Sequence, residues 1–412
     1  MTETSASPEH LTSRRGLFGL AGTIALVGGL AACGDSATAS STGTSSTSAA
    51  AGTSSDSLVS LAEAFAATLS DEQQSALYQD YTFDNAQNWS NFPNALLAGT
   101  VSVGGTASAD GSTAPSGDLP SGAAPTADGT GTAPSGGPGG SNSTGRVGVQ
   151  TDTLSDEQWT AFKALMAAAT GTGENEGWDE IQQILNADDY LASIDSGGGY
   201  GSGNYFIAFL GTPSTSGTWE LQFGGHHLAF ANTYTDGALA GATPSFRGLE
   251  PVAAFDYDGR TNAPLAQEVA AFTAVLAALD SDQLAAATVT TSDLVLGPGQ
   301  DWAFPDTYEG TPVADMTDAQ KSLVLAAVTT YVADVSSADA TTILSRYESE
   351  LDQTYVCCSG TGQFTARGDY IRIDGPSVWI ELAMQPGLVF PDTPHIHSVW
   401  RDRNTDYGGL TG

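Results

Sequence analysis

Positive charge is what this chain has least of. Twelve lysines and arginines stand against 47 aspartates and glutamates in 412 residues, a formal net charge of -35. A phosphate backbone is repelled by such a chain, and no basic stretch with interleaved aromatics offsets the repulsion, so nucleic acid is not an expected partner. Cysteine is nearly absent as well, with only Cys33, Cys357 and Cys358, too few for a disulfide framework. A bridge between the adjacent Cys357 and Cys358 would distort the backbone, which leaves a strained disulfide, two buried thiols or a soft copper ligand as their readings. No G-x-S-x-G elbow, Walker loop or convincing dinucleotide fingerprint occurs, so neither a serine hydrolase nor a nucleotide enzyme is indicated. Histidine is scarce too, but four of the five lie in two tight clusters, His226-His227 and His395-Ile396-His397.

The first 32 residues read as an address. Ser13-Arg14-Arg15-Gly16-Leu17-Phe18 matches a twin-arginine export signal, and the apolar run from Gly16 to Ala32 is short and glycine-rich for a membrane span. It closes on Leu30-Ala31-Ala32-Cys33, a lipobox. Export in a folded state, cleavage before Cys33, lipidation of its thiol and residence on the outer face of the cell membrane are the expectations. The signal contains Glu3, Glu9, Arg14 and Arg15, so its removal leaves the net charge unchanged.

Residues 33–56 are a Ser/Thr/Ala/Gly tether, and residues 99–142 a Gly/Ser/Thr/Ala/Pro insert; both are too poor in large apolar side chains to fold and are expected to be disordered. Roughly 310 residues remain for a packed core. Four capping-box spellings punctuate them: Ser70 with Gln73, Ser155 with Gln158, Asp280 with Gln283 and Thr317 with Gln320. Around these caps the landmarks Trp89, Tyr205, Trp219 and His226-His227 are echoed by Trp302, Tyr370, Trp379 and His395-His397. That order predicts an internal duplication, with 57–98 and 143–250 as one half, 251–412 as the other, and a pseudo-twofold site to which each half delivers a histidine pair.

Helices are expected at about 58–78, 156–169, 264–279, 318–333 and 338–354. Alternating apolar residues predict strands around Tyr205–Phe209, Trp219–Phe223, Tyr370–Ile373 and Val378–Leu382. Helical blocks followed by strand blocks give an α+β fold, an antiparallel sheet with flanking helices.

Imidazole is the commonest biological metal ligand, and several must converge on one point. On extended backbone His395 and His397 share a face, whereas adjacent His226 and His227 point oppositely unless Gly224-Gly225 forms a bulge. The expected site is therefore His395, His397 and one of His226 or His227, with an open position suited to zinc or copper. Glu381 and Glu220 are candidate fourth ligands or general bases, and Asp402 a candidate for orienting a ligand imidazole. Arg401 and Arg403 are either anion-binding groups beside the site or structural ion-pair partners.

The segments W-E-L-Q-F-G-G-H-H-L, G-D-Y-I-R-I-D-G-P-S-V-W-I-E-L and T-P-H-I-H-S-V-W-R-D-R-N-T-D-Y-G resemble the bacterial family known as domain of unknown function 3500. The resemblance covers most of the chain outside leader, tether and insert. It implies an exported, sheet-containing domain and brings no reaction with it. Two functions stay open: a lipid-anchored metalloenzyme acting on a small extracellular molecule or cell-wall fragment, and a non-catalytic lipoprotein that binds a ligand or metal in the same cleft.

Overall fold

Helices begin where a side chain is available for the orphan N–H groups of the first turn. In the computed structural model, which describes residues 55–89, 146–297 and 304–411, all four capping boxes form, at Ser70, Ser155, Asp280 and Thr317. Each pairs the cap side chain with the third backbone N–H while a glutamine reaches back to the cap. The signal, Cys33, tether residues 34–54 and the insert lie outside the described residues, as does Trp302; Ser55 and Asp56, assigned from sequence to the disordered tether, instead open the first helix.

In chain order the described elements begin with helices α1 (Ser55–Ala67) and α2 (Asp71–Leu77), strand β1 (Tyr78–Gln79), the single turn α3 (Phe83–Ala86) and β2 (Val149–Gln150). Helices α4 (Asp156–Ala169) and α5 (Gly177–Ile194) follow, then β3 (Phe206–Leu210), β4 (Thr218–Gly225), β5 (Leu228–Thr235), β6 (Ala238–Gly241) and β7 (Ser245–Leu249). A small hairpin, β8 (Phe255–Tyr257) and β9 (Arg260–Asn262), leads to α6 (Ala266–Ala278), α7 (Ser281–Ala287), β10 (Thr311–Pro312), α8 (Asp318–Val332) and α9 (Ser337–Ser349). The chain ends with β11 (Tyr355–Ser359), β12 (Tyr370–Asp374), β13 (Val378–Pro386) and β14 (Pro394–Asp402). No helix of the described residues is long and apolar enough to cross a membrane.

The fold is α+β, and its main sheet runs β1-β3-β4-β5-β7-β14-β13-β12-β11-β10, antiparallel except for β1 against β3. The order of elements recurs on either side of the central β7–β14 pair. Two helices are followed by a short parallel contact, β1 with β3 or Thr288 with Cys358, then by a short antiparallel strand, β2 on β3 or β10 on β11. Two more helices and a meander complete each run. The cap glutamines recur with them: Gln158 Nε2 donates to Gln73 Oε1 and the Thr68 carbonyl, both at 2.9 Å. Gln320 Nε2 donates to Gln283 Oε1 at 2.6 Å and the Ala278 carbonyl at 2.7 Å. The strand landmarks do not follow the order expected from sequence, because Trp219 lies on β4, second in its meander, and Trp379 on β13, third in its own. The long helix expected over 58–78 is two helices, since Ser70 starts a new one, and α5 was not anticipated.

Helices cover one face of the sheet. Phe65, Phe162, Leu165 and Ile181 pack on Phe209, Leu221 and Phe223 on one side; Phe272, Val324, Val328 and Tyr347 pack on Ile371, Ile380, Leu382, Ile396 and Trp400 on the other. On the opposite face Ala229, Phe246 and Val399 meet Trp89 and Leu294. Alternation along β14 therefore sends Ile396 and Trp400 to the helices and His395, His397 and Val399 to this second face.

Gln158→Ala and Gln320→Ala each remove a cap bond and an amide, buried in Gln158 and half-buried in Gln320, that ties two helix starts together. Each is expected to lower unfolding free energy by about 1–2 kcal/mol, measured by urea denaturation at unchanged m-value.

Candidate metal centre

His226 and His227 are the two turn residues between β4 and β5, with Gly225 paired to Leu228 across them. Strand alternation does not apply to a turn, so the opposite-facing arrangement expected for this pair is not what forms. His227 takes φ 60°, a conformation uncommon outside glycine, and the two rings stack with centroids 3.7 Å apart. The preceding glycines make room: a Cβ on Gly225 would lie 2.7 Å from the Tyr205 ring, and the Tyr205 hydroxyl donates to the His226 carbonyl at 2.5 Å.

The second pair arrives on β14. His397 stands opposite Gly248 of β7 in the β7–β14 register, and Gly248 N–H donates to the His227 carbonyl at 2.8 Å. The bare α-carbon of Gly248 receives the His227 ring, for a Cβ there would sit 2.6 Å from His227 Cδ2. His227 is thus brought to within 5.3 Å of His395 and 5.2 Å of His397, centroid to centroid. His395 Nε2 and His397 Nε2 are 3.0 Å apart.

One nitrogen from each of His227, His395 and His397 lies within 4.8 Å of the others. The nitrogens of tetrahedral zinc ligands are about 3.3 Å apart, so small side-chain adjustments suffice for these three rings to share an ion. All are buried, at 4%, 3% and 7% exposure. Burial holds their pKa values down, helped by the neighbouring imidazoles: His395 falls to about 4, with the Pro386 backbone opposing, and His227 and His397 lie well below the ordinary value. Neutral imidazoles present the lone pairs that a metal needs.

His226 sits behind this trio. Its Nδ1 is 2.5 Å from Asp188 Oδ1 on α5, and the other Asp188 oxygen accepts Gly201 N–H at 2.8 Å. Tyr200 packs against the His226 ring at 5.0 Å.

The carboxylates and arginines singled out from sequence are engaged elsewhere. Glu381 accepts from Val295 N–H, Leu296 N–H, the Tyr370 hydroxyl and Trp379 Nε1 at 2.6–2.8 Å; burial raises its pKa and these bonds oppose the rise. Glu220 is bound by Thr233 and Gln222, and burial pushes it up to about 7. Asp402 lies on the helix face of β14, where Arg346 and the Tyr347 hydroxyl hold it. Arg401 pairs with Asp406 at 2.8 Å and Arg403 with Asp374 at 2.7 Å, both against Phe304. Cys357 and Cys358 are free and buried, and burial pushes the Cys357 thiol up to about 12. Asp188, Tyr200 and Gly248 went unnoticed in the sequence; the apolar spacing of Trp178, Ile181, Ile184, Leu185 and Leu191 was the available signal for the helix that carries Asp188.

The chain belongs to the DUF3500 family, described as protein of unknown function, whose family model matches residues 141–409 and so takes in all four clustered histidines. No curated protein and no solved structure matches the chain.

Neutral burial of His227, His395 and His397 has a signed consequence for the metal-free protein. The unfolded chain protonates them below about pH 6.5 while the folded one does not, so their contribution to stability is lost as pH falls from about 6.5 towards 4. Glu220 and Glu268, raised by burial to about 7 and about 8, act in the opposite sense, losing stability as pH rises from about 4.5. Comparison with His395→Asn/His397→Asn isolates the histidine part. Between pH 7 and 5 the variant should lose less stability than wild type, by up to about 1.4 kcal/mol per pH unit per histidine removed; equal losses in urea melts would show that the imidazoles are not held neutral.

Proposed function

We propose that this chain is an exported, lipid-anchored protein that works through a three-histidine metal site, His227, His395 and His397, holding zinc or copper and acting on a small extracellular molecule or cell-wall fragment. The observation that carries this reading is the convergence of three buried, neutral ring nitrogens from two distant segments. Such a set is costly to bury without a cation to accept its lone pairs. Three imidazoles leave a coordination position open, the arrangement of catalytic rather than structural sites. The positive φ at His227 adds support, since backbone strain is tolerated where function needs it. Matching runs of elements around β7 and β14 support a duplicated origin in which each half contributes a histidine pair.

A second reading, a lipoprotein that binds metal or ligand without chemistry, is favoured by one specific fact. Glu381 and Asp402, the acid–base candidates, are tied into other networks. The export signal Ser13-Arg14-Arg15 and the lipidation of Cys33 are part of the proposal on sequence grounds.

Elemental analysis by plasma mass spectrometry on the protein from Ser57 onward, purified without a histidine tag, tests the site. Near-stoichiometric zinc or copper is expected in wild type and none in folded His395→Ala/His397→Ala. Gly248→Ala, which forces the His227 ring aside, should retain the fold and bind metal at least ~10-fold more weakly. Wild type that is metal-free and cannot be loaded would refute the proposal.

A further inference from the structure

Beyond Leu249, which faces Ile396, the β7–β14 register leads to Glu250 and His395. Alternation puts both on the face that carries the trio, and opposite residues on neighbouring strands have Cβ atoms about 5 Å apart. Glu250 is 2% exposed. Its Oε1 accepts Val389 N–H at 3.0 Å and Phe390 N–H at 2.7 Å, both from the β13–β14 connection that feeds into His395. Its Oε2 is buried without a hydrogen-bond partner, and so is Nδ1 of His395. Burial raises the Tyr200 phenol most, Glu250 lies close enough for its charge to add to the rise, and Tyr200 packs on His226.

A carboxylate oxygen without a donor and a ring nitrogen without an acceptor are complementary. A proton on Nδ1 satisfies both through one bridging water, and leaves the Nε2 lone pair turned towards His397. Metal-ligating histidines commonly rely on such a carboxylate to fix tautomer and ring orientation. We infer that Glu250 is the positioning residue for His395, fixing its Nδ1–H tautomer so that Nε2 serves the metal; the metal part of this inference rests on the site proposed above. The Pro386 backbone, which opposes the depression of the His395 pKa, is the competing acceptor.

Glu250→Gln separates the two. An amide can keep its oxygen on the Val389 and Phe390 N–H groups while its NH2 replaces Oε2, so the loop stays capped and only the acceptor for His395 is lost. Two readouts are needed: nitrogen-15 NMR of the imidazole rings in metal-free protein, with His395 assigned through His395→Asn, and competitive zinc titration. Wild-type His395 is expected to carry its proton on Nδ1, and in the variant the proton should move to Nε2 while zinc affinity falls about 10–100-fold. Unchanged tautomer together with unchanged affinity would overturn the inference and leave the metal site standing. A tautomer shift in Glu250→Gln, alongside a wild type that takes up no zinc, would sink the metal site and keep the Glu250–His395 pair. Wild-type His395 protonated on Nε2 overturns the inference whatever the variant does.

Discussion

The pairing register between β7 and β14 is the constraint on which the rest of this structure depends. It sets Gly248 opposite His397, so that the one residue without a side chain receives the His227 ring beside the second histidine pair. On the other face the same register aligns Arg247 with Ser398 and leaves the guanidinium to reach Glu180 at 3.4 Å and Asp334 at 3.1 Å, one from each side of the seam. A slip by one residue would exchange the faces, burying Arg247 where the imidazoles meet and turning the histidines into the helical core. Both faces are specified at once, which makes the register hard to change.

Charge is distributed with the same economy. Arg247, Arg372 and Arg401 are almost wholly buried, each against a carboxylate, and Arg346 and Arg403 hold Asp402 and Asp374. A chain with 12 basic residues thereby places many of them inside, leaving the surface to its acids. Against that background the His227, His395 and His397 group is distinctive in being built from neutral imidazoles, with Asp188 and its partner His226 one ring removed from the trio.

Local physics was legible in the sequence. The Ser155 cap and apolar spacing fixed Asp156–Ala169 to the residue, and the other three capping boxes announced real helix starts. The spacing of His395 and His397 put both imidazoles on one face, and His227 joined them. The same parity argument, carried seven residues on from His395, separates Asp402 from the site; the structure holds it among Arg346 and Tyr347 instead. What was hidden depends on distant chain. Nothing near Glu381 reveals that Val295 and Leu296 supply it with backbone donors. His226-His227 reads as strand until the pairing of Gly225 with Leu228 makes it a turn. Gly248 acquires meaning only once β7 and β14 are adjacent.

The central claim is that His227, His395 and His397 bind one ion together. X-ray absorption at the zinc and copper edges of the metal-loaded protein tests it most directly. The account predicts a first shell containing three imidazole nitrogens at about 2.0–2.1 Å with the multiple scattering of histidine rings, and no bound metal to give such a shell in His395→Ala/His397→Ala. A shell of oxygens or of cysteine sulfur, or one unaltered by removing those two histidines, would contradict it.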